Sequence, residues 1–277
     1  MHKHSALLLV LRAQKLKKQA IHYFETHAGR AQYDLHAAQA RKTQEAAQGI
    51  LQILGVQKTD PSADKNLNRQ ASNFSRYLEI NQDPRQYFGS PALAAQALRA
   101  QDRLLLSELH PQEFKALKAW SATDKRIACI QQDGYKVAQD LPLDPRLLVF
   151  IDPSYEFEEE YEKAAQLALD LYQNKQATVL LWYPILKDRR QNKLLGKIKQ
   201  SGLGAIAQDQ VLIAPLRHKD SAEGQKFYGM QGSGLIVLSR QAGALRRELK
   251  ANSAELAKAL PAEREARSSS GLLCTSF

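Results

Sequence analysis

The sequence is short of cysteine, of acidic residues and of long apolar runs, and each shortage excludes something. Its two cysteines, Cys129 and Cys274, stand far apart and match no metal-binding or redox spacing. That excludes a disulfide framework and fits a reducing compartment. No apolar run approaches the roughly 20 residues needed to cross a bilayer, so no membrane span is expected. A leader-like apolar run, Ala6 to Leu11, lies behind His2, Lys3 and His4. Arg12, Lys15, Lys17 and Lys18 follow at once, with no small-residue cleavage site. The segment therefore reads as an amphipathic helix over 5–19, with Leu7, Leu8, Leu11 and Leu16 inward. No fixed-period repeat is present. Acidic residues number 29 against 39 basic ones, a net charge of +10. That balance favours a polyanionic partner, nucleic acid ahead of a membrane surface.

What is present is ordinary in amount and ordered in pattern. At 277 residues, 44% hydrophobic and 25% charged, the chain can bury a sizeable core. Its most informative stretch is Leu147 to Tyr155, LLVFIDPSY. Five apolar residues in a row, ending abruptly in polar ones, suit the carboxyl end of a central parallel strand, where open α/β sheets place their ligands. Other segments share the layout. A strand over 21–26 runs into a His27-Ala28-Gly29 turn, a strand over 103–107 ends at Glu108, and one over 126–131 ends at Asp133-Gly134. Helices over 91–100, 112–120, 158–174 and 187–201 alternate with these strands and with another over 177–183. That rhythm implies a parallel sheet. Two late strands, near 211–213 and 235–238, have no clear helix between them and suggest an antiparallel hairpin at one edge. Residues 36–88 carry no strand pattern. They read as a helical insertion broken at Asp60-Pro61-Ser62, with Tyr87 to Pro91 as a turn. The expected organisation is one domain over 1–260 with that insertion, and a disordered polar tail over 261–277.

Each strand-end residue has a plain reading and a chemical one. An acid where Glu108 stands can accept both hydroxyls of a ribose, or can be a solvated carboxylate. Asp133 can accept from an exocyclic amine, with Gly134 admitting a ring against the backbone, or the pair can be an Asp-Gly turn. Asp152-Pro153 can be a catalytic element or a turn start. Tyr155 can be a stacking platform or a half-buried tyrosine.

In combination these elements resemble class I S-adenosylmethionine-dependent methyltransferases. Asp152-Pro153-Ser154-Tyr155 differs by one residue from the Asp-Pro-Pro-Tyr element of amino-group methyltransferases. More narrowly, the Thr26-His27-Ala28-Gly29 turn, Tyr33-Asp34-Leu35, Gly89-Ser90-Pro91, Glu108-Leu109-His110-Pro111 and Leu181-Trp182-Tyr183-Pro184 are similar to the bacterial family that methylates N6 of one adenine in 23S ribosomal RNA. The resemblance implies a Rossmann-like sheet, mostly parallel with an antiparallel edge hairpin, plus a small helical subdomain. It implies S-adenosyl-L-methionine as cofactor, lined by His4, His27, Gly29, Ser90, Glu108, Asp133, Gly134 and Asp152. Asp152 and Pro153 would form the catalytic element, Asp152 taking a proton from the amine, and Tyr155 would stack on the extruded adenine. No metal is implied. The expected partner is 23S ribosomal RNA, free of protein or early in assembly, met by a cytoplasmic monomer. Candidate RNA contacts are Lys15, Lys17 and Lys18; Lys187, Arg189, Arg190, Lys193, Lys197 and Lys199; and Arg217, His218 and Lys219. The run from Phe157 to Glu162 is acidic because it opens a helix.

The match departs at four places. A family segment ahead of Lys3-His4 has no counterpart here. Glu25 replaces an aspartate, Ala31 replaces a glycine whose turn would strain an alanine, and Ser154 replaces the second proline. The alternatives these departures leave open are a DNA adenine methyltransferase, consistent with an older family label of external-DNA utilisation, and a non-catalytic RNA-binding protein on a degenerate methyltransferase fold.

Overall fold

The computed structural model describes residues 1–34, 72–83, 85–204, 206–212 and 230–259. The expectations for 36–71, for Arg217, His218 and Lys219, for Cys274 and for the tail lie outside the described residues. The chain opens with α1 (His2–Lys15), β1 (His22–Glu25) and β2 (Gln32–Asp34). Next come α2 (Asn73–Ile80), β3 (Gln86–Phe88), α3 (Ser90–Ala97) and β4 (Arg103–Ser107). Then follow α4 (Pro111–Ser121), β5 (Ile127–Ile130), α5 (Gly134–Gln139), β6 (Leu147–Ile151) and α6 (Glu159–Lys175). The rest is β7 (Thr178–Leu186), α7 (Gln191–Gln200), β8 (Ile206–Leu212), β9 (Met230–Leu238) and α8 (Ala242–Ala259).

Seven strands form one sheet in the order β5-β4-β1-β6-β7-β9-β8. The first five run parallel, and β9 lies antiparallel between β7 and β8. Every residue of β6 is buried, as its unbroken apolar run requires of a strand covered on both faces. One face packs against α1, α2, α3 and α8, the other against α5, α6 and α7. The helix starts are written locally. Ser72 accepts from the Ser75 N–H, Asp133 from the Tyr135 N–H, and Pro91 sits in the first turn of α3. Helix α6 opens with Glu159, Glu160 and Glu162, the sign its N-terminus favours.

Four expectations are corrected. Helix α1 is not amphipathic: Ala6 to Leu11 are all buried, between α2, α3 and α8, while Leu16 lies beyond the helix and is 84% exposed. The stretch read as a turn at Tyr87 contains β3, which pairs antiparallel with β2. Both strands are three residues long and lack alternating burial, so periodicity does not reveal them. Ala31 escapes the expected strain, because Gly29 alone in that turn takes positive φ, at 63°. Ala31 is instead buried, and its carbonyl accepts from the Gly89 N–H at 2.8 Å. Finally, α8 covers a segment for which no element was expected.

Candidate active site

The carboxyl ends of β1, β4, β5 and β6 meet at one rim of the sheet. Strand β1 lies between β4 and β6, and the chain leaves β1 and β6 toward opposite faces, which is the switch point where a doubly wound sheet places its ligand crevice. Gly29 turns the chain after β1, and its N–H donates to Glu108 Oε2 at 2.7 Å. The His110 N–H donates to Glu108 Oε1, also at 2.7 Å. Glu108 is thus aimed by two backbone donors, and each oxygen keeps capacity for a further donor.

Asp133 caps α5 through Oδ1, while Oδ2 lies 3.9 Å from Lys163 Nζ. Gly134 has a tighter task than admitting a ring. A Cβ there would sit 1.9 Å from the Thr26 carbonyl oxygen, so α5 rests directly on the end of β1. His27 is half-buried, bonded through Nδ1 to Thr26 Oγ1 at 2.8 Å and edge-on to Tyr135. Burial lowers its pKa.

Asp152 follows the last residue of β6. Its Oδ2 accepts from Lys3 Nζ at 2.7 Å. Its Oδ1 is sealed from solvent and has no hydrogen-bond partner among the described residues. Lys3 also sits 4.5 Å from the centroid of the Trp182 ring. Pro153 is buried and Ser154 exposed. Tyr155 takes the left-handed conformation, φ 55°. Its hydroxyl donates to the Trp182 carbonyl at 2.5 Å, and its ring packs on Tyr161 and Trp182, leaving it 4% exposed. Burial pushes its phenol well up.

Beneath the rim, Glu25 is fully buried, accepting from Tyr23 at 2.9 Å and from the Ser90 hydroxyl. Desolvation raises its pKa to about 8, so it is a neutral acid at pH 7. Ser90 thus spends its hydroxyl on Glu25. His4 is buried, and its Nδ1 lies 2.7 Å from the Tyr87 hydroxyl. Burial holds its pKa well below the usual histidine range, so it is neutral.

The structure gathers Gly29, Glu108, Asp133, Gly134 and Asp152 around the crevice, with His27, Ser90 and His4 supporting its walls. Sequence reasoning missed Lys3 as the partner of Asp152, Trp182 as its backing, and Glu25 as a buried acid. Only the Lys3-His4 pair and the Leu181-Trp182-Tyr183-Pro184 match hinted at the first two.

The basic candidates fall in three settings. Lys15, Lys17 and Lys18 lie at the opposite rim, since Gln14 bonds Thr178 at the start of β7, and Lys15 is tied to the Ala97 carbonyl. From Lys3 to Lys15 along the helix axis is about 18 Å. On and beside α7, Lys193 pairs with Glu158, Lys197 with Glu162 and Arg190 with Asp188. Lys187 and Arg189 are exposed at the rim, with no ion pair among the described residues.

A mostly parallel seven-stranded sheet with an antiparallel edge, and acids after β4, β5 and β6 along one rim, defines a class I methyltransferase. The chain belongs to the family of ribosomal RNA large subunit methyltransferase D, RlmJ, whose model matches residues 18–268. It is 29% identical over 240 residues to each of two relatives named ribosomal RNA large subunit methyltransferase J, from Haemophilus influenzae and Escherichia coli. Each match covers 86% of this chain and 81% of the relative. The crystal structure of a Legionella pneumophila protein superposes with a TM-score of 0.78 at 26% identity, covering 99% of this chain and 95% of that one.

Proposed function

We propose that this protein transfers a methyl group from S-adenosylmethionine to the N6 amine of an adenine in 23S ribosomal RNA. The observation that carries the chemistry is Asp152, with one oxygen clamped by Lys3 and the other buried without a donor among the described residues. A buried carboxylate oxygen left without a donor is costly, and an amine N–H satisfies it. S-adenosylmethionine supplies the electrophilic methyl group. Once the rim opens to uncover it, Asp152 Oδ1 accepts the N6–H, localises the amine's lone pair and takes the proton as the methyl bond forms. Lys3 fixes the carboxylate rotamer through Oδ2. Glu108 is placed to take the ribose hydroxyls of the cofactor, and Asp133 Oδ2 to take its adenine amine. These acceptors, with the tight Gly29 turn, fit that cofactor. Pro153 and the left-handed Tyr155 hold Asp152 at the rim. Stacking of Tyr155 on the adenine requires its ring to expose a face that is covered in this conformation.

RNA would approach over the carboxyl rim, toward Lys187 and Arg189. Family membership sets this reading above duplex DNA. A base drawn into the crevice must come from an accessible strand, so the proposed substrate is protein-free or early-assembly RNA, met by a cytoplasmic monomer. The test is labelled-methyl transfer to protein-free 23S RNA by the wild type and by Asp152→Asn. The variant is expected to bind S-adenosylhomocysteine with a Kd within about threefold of wild type and to transfer at least about 100-fold more slowly. Wild-type protein with no transfer, or with a preference for duplex DNA, would overturn the proposal.

A further inference from the structure

A buried polar cluster beside the crevice takes no part in the chemistry above. His2 of α1, Asp209 of β8, Ser233 of β9 and Ser253 of α8 are all buried. His2 Nδ1 lies 2.9 Å from Ser233 Oγ, and His2 Nε2 lies 3.1 Å from Asp209 Oδ2. Ser253 Oγ is 3.1 Å from His2 Nε2 and donates to Asp209. Trp182 Nε1 donates to Ser233 Oγ at 2.7 Å. A serine, a histidine and a carboxylate in line resemble a nucleophile triad. Here, however, the serine is 6% exposed and the carboxylate 1%, so no acyl substrate reaches them.

The direction of the bonds indicates another use. An indole N–H only donates, so Ser233 Oγ accepts from Trp182; a carboxylate only accepts, so the buried neutral His2 turns its N–H toward Asp209 and its Nδ1 accepts from the Ser233 hydroxyl. His2 then carries its hydrogen on Nε2 and donates to the Asp209 carboxylate. The relay ends on the one polar side-chain atom of Trp182. The same indole is the platform under the Lys3 ammonium, and the Trp182 carbonyl holds the Tyr155 hydroxyl. Lys3 is also the chain neighbour of His2, so the cluster reaches Lys3 along two routes, through α1 and through the indole.

We infer that Ser233 and His2 are positioning residues for methyl transfer, fixing the Trp182 ring that holds Lys3 against Asp152. This rests on the function proposed above. In a Trp120→Phe background Trp182 is the sole tryptophan, because the chain has two. There, Ser233→Ala is expected to lower kcat about tenfold, the scale of a small misplacement at a reacting centre. It should also shift the Trp182 emission, while the Kd for S-adenosylhomocysteine stays within about twofold. Ser233→Thr, which keeps the hydroxyl, should return kcat to within about threefold of wild type. Ser253→Ala, at the far end of the relay, should destabilise the fold comparably and keep kcat within about threefold. An unchanged kcat in Ser233→Ala would overturn the inference. So would losses of rate that follow thermal stability equally in the two alanine variants. Wild-type protein without methyl transfer overturns both readings, whereas active wild type with an unaffected Ser233→Ala overturns this one alone.

Discussion

Gly134→Ala is a one-methyl change with a consequence that follows from geometry. The added Cβ would lie 1.9 Å from the Thr26 carbonyl oxygen and 2.6 Å from both Thr26 C and Thr26 Cα. All three are backbone atoms, so no side chain can swing away. Thr26 is itself pinned, its N–H and its hydroxyl both directed at the Phe150 carbonyl of β6. The first turn of α5 must therefore retreat, by about 1 Å to reach the closest contact a real Cβ tolerates. Overpacking of this kind costs about 1–3 kcal/mol. For a chain of this size, about 2 kcal/mol lowers Tm by roughly 4–8 °C. The retreat also carries Asp133, the proposed acceptor for the cofactor amine, away from the crevice. Losing a hydrogen bond to a charged group removes about 1.5–3 kcal/mol, so the Kd for S-adenosylhomocysteine should rise about 10- to 100-fold. Differential scanning fluorimetry and calorimetric titration read the two effects. Gly196→Ala is the control, because a Cβ there meets nothing within 4 Å. In the interior of α7 it should be neutral or stabilising by up to about 1 kcal/mol. A Gly134→Ala protein that melts within about 1 °C of wild type and binds within about twofold would refute the close-approach argument.

Other variants probe the buried acid, the paired cations and the altered tetrapeptide. Glu25 has a folded pKa of about 8 against an ordinary value of 4.5. Between those pH values the unfolded chain has released the proton and the folded one has not, so stability falls as pH rises through the window, by up to about 1.4 kcal/mol per unit. Glu25→Gln should flatten that decline in Tm between about pH 5 and 8, and a slope equal to wild type would contradict the neutral-acid assignment. Removing both pairs whole, Lys193→Ala and Lys197→Ala with Glu158→Ala and Glu162→Ala, leaves the net charge unchanged and should keep RNA affinity within about threefold. Lys187→Ala with Arg189→Ala should weaken RNA binding and reduce the salt slope by about 2, measured by titration at several ionic strengths. The reverse ranking would move the RNA contact elsewhere. Ser154→Pro should raise stability by about 0.4–1 kcal/mol in chemical denaturation, since Ser154 is exposed and outside the positive-φ set. A loss of stability would show that the loop uses the serine N–H.

The parts of the fold that were legible in the sequence are those written locally. The apolar run of β6, the acids that end β4, β5 and β6, and the proline and aspartate at helix starts each carry their meaning within a few residues. The parts that were not legible depend on distant partners. Lys3 and Asp152 are 149 positions apart, and nothing around Lys3 announces a carboxylate. Leu16 was expected inward on helical spacing alone, but α1 ends one residue earlier and the chain turns outward there. Glu25 reads as a longer aspartate. Its neutral state arises only when Tyr23 and Ser90 close over it and exclude water. The basic helix was read as a single-sign surface, because the glutamates that cancel its charge belong to α6, a separate element.

The enclosure of α1 bears on the order in which the protein can be made. One of the covering walls of this helix, α8, leaves the ribosome more than two hundred residues after it. Ser5 waits for Asn252, and His2 for Ser253. At about 5–20 residues per second, that interval is roughly ten to fifty seconds. During it Ala6 to Leu11 are an apolar segment without its lid, open to chaperones and to self-association. Helix α1 is thus made well before it can be covered, and its long-range closure with α8 slows the search for the native state.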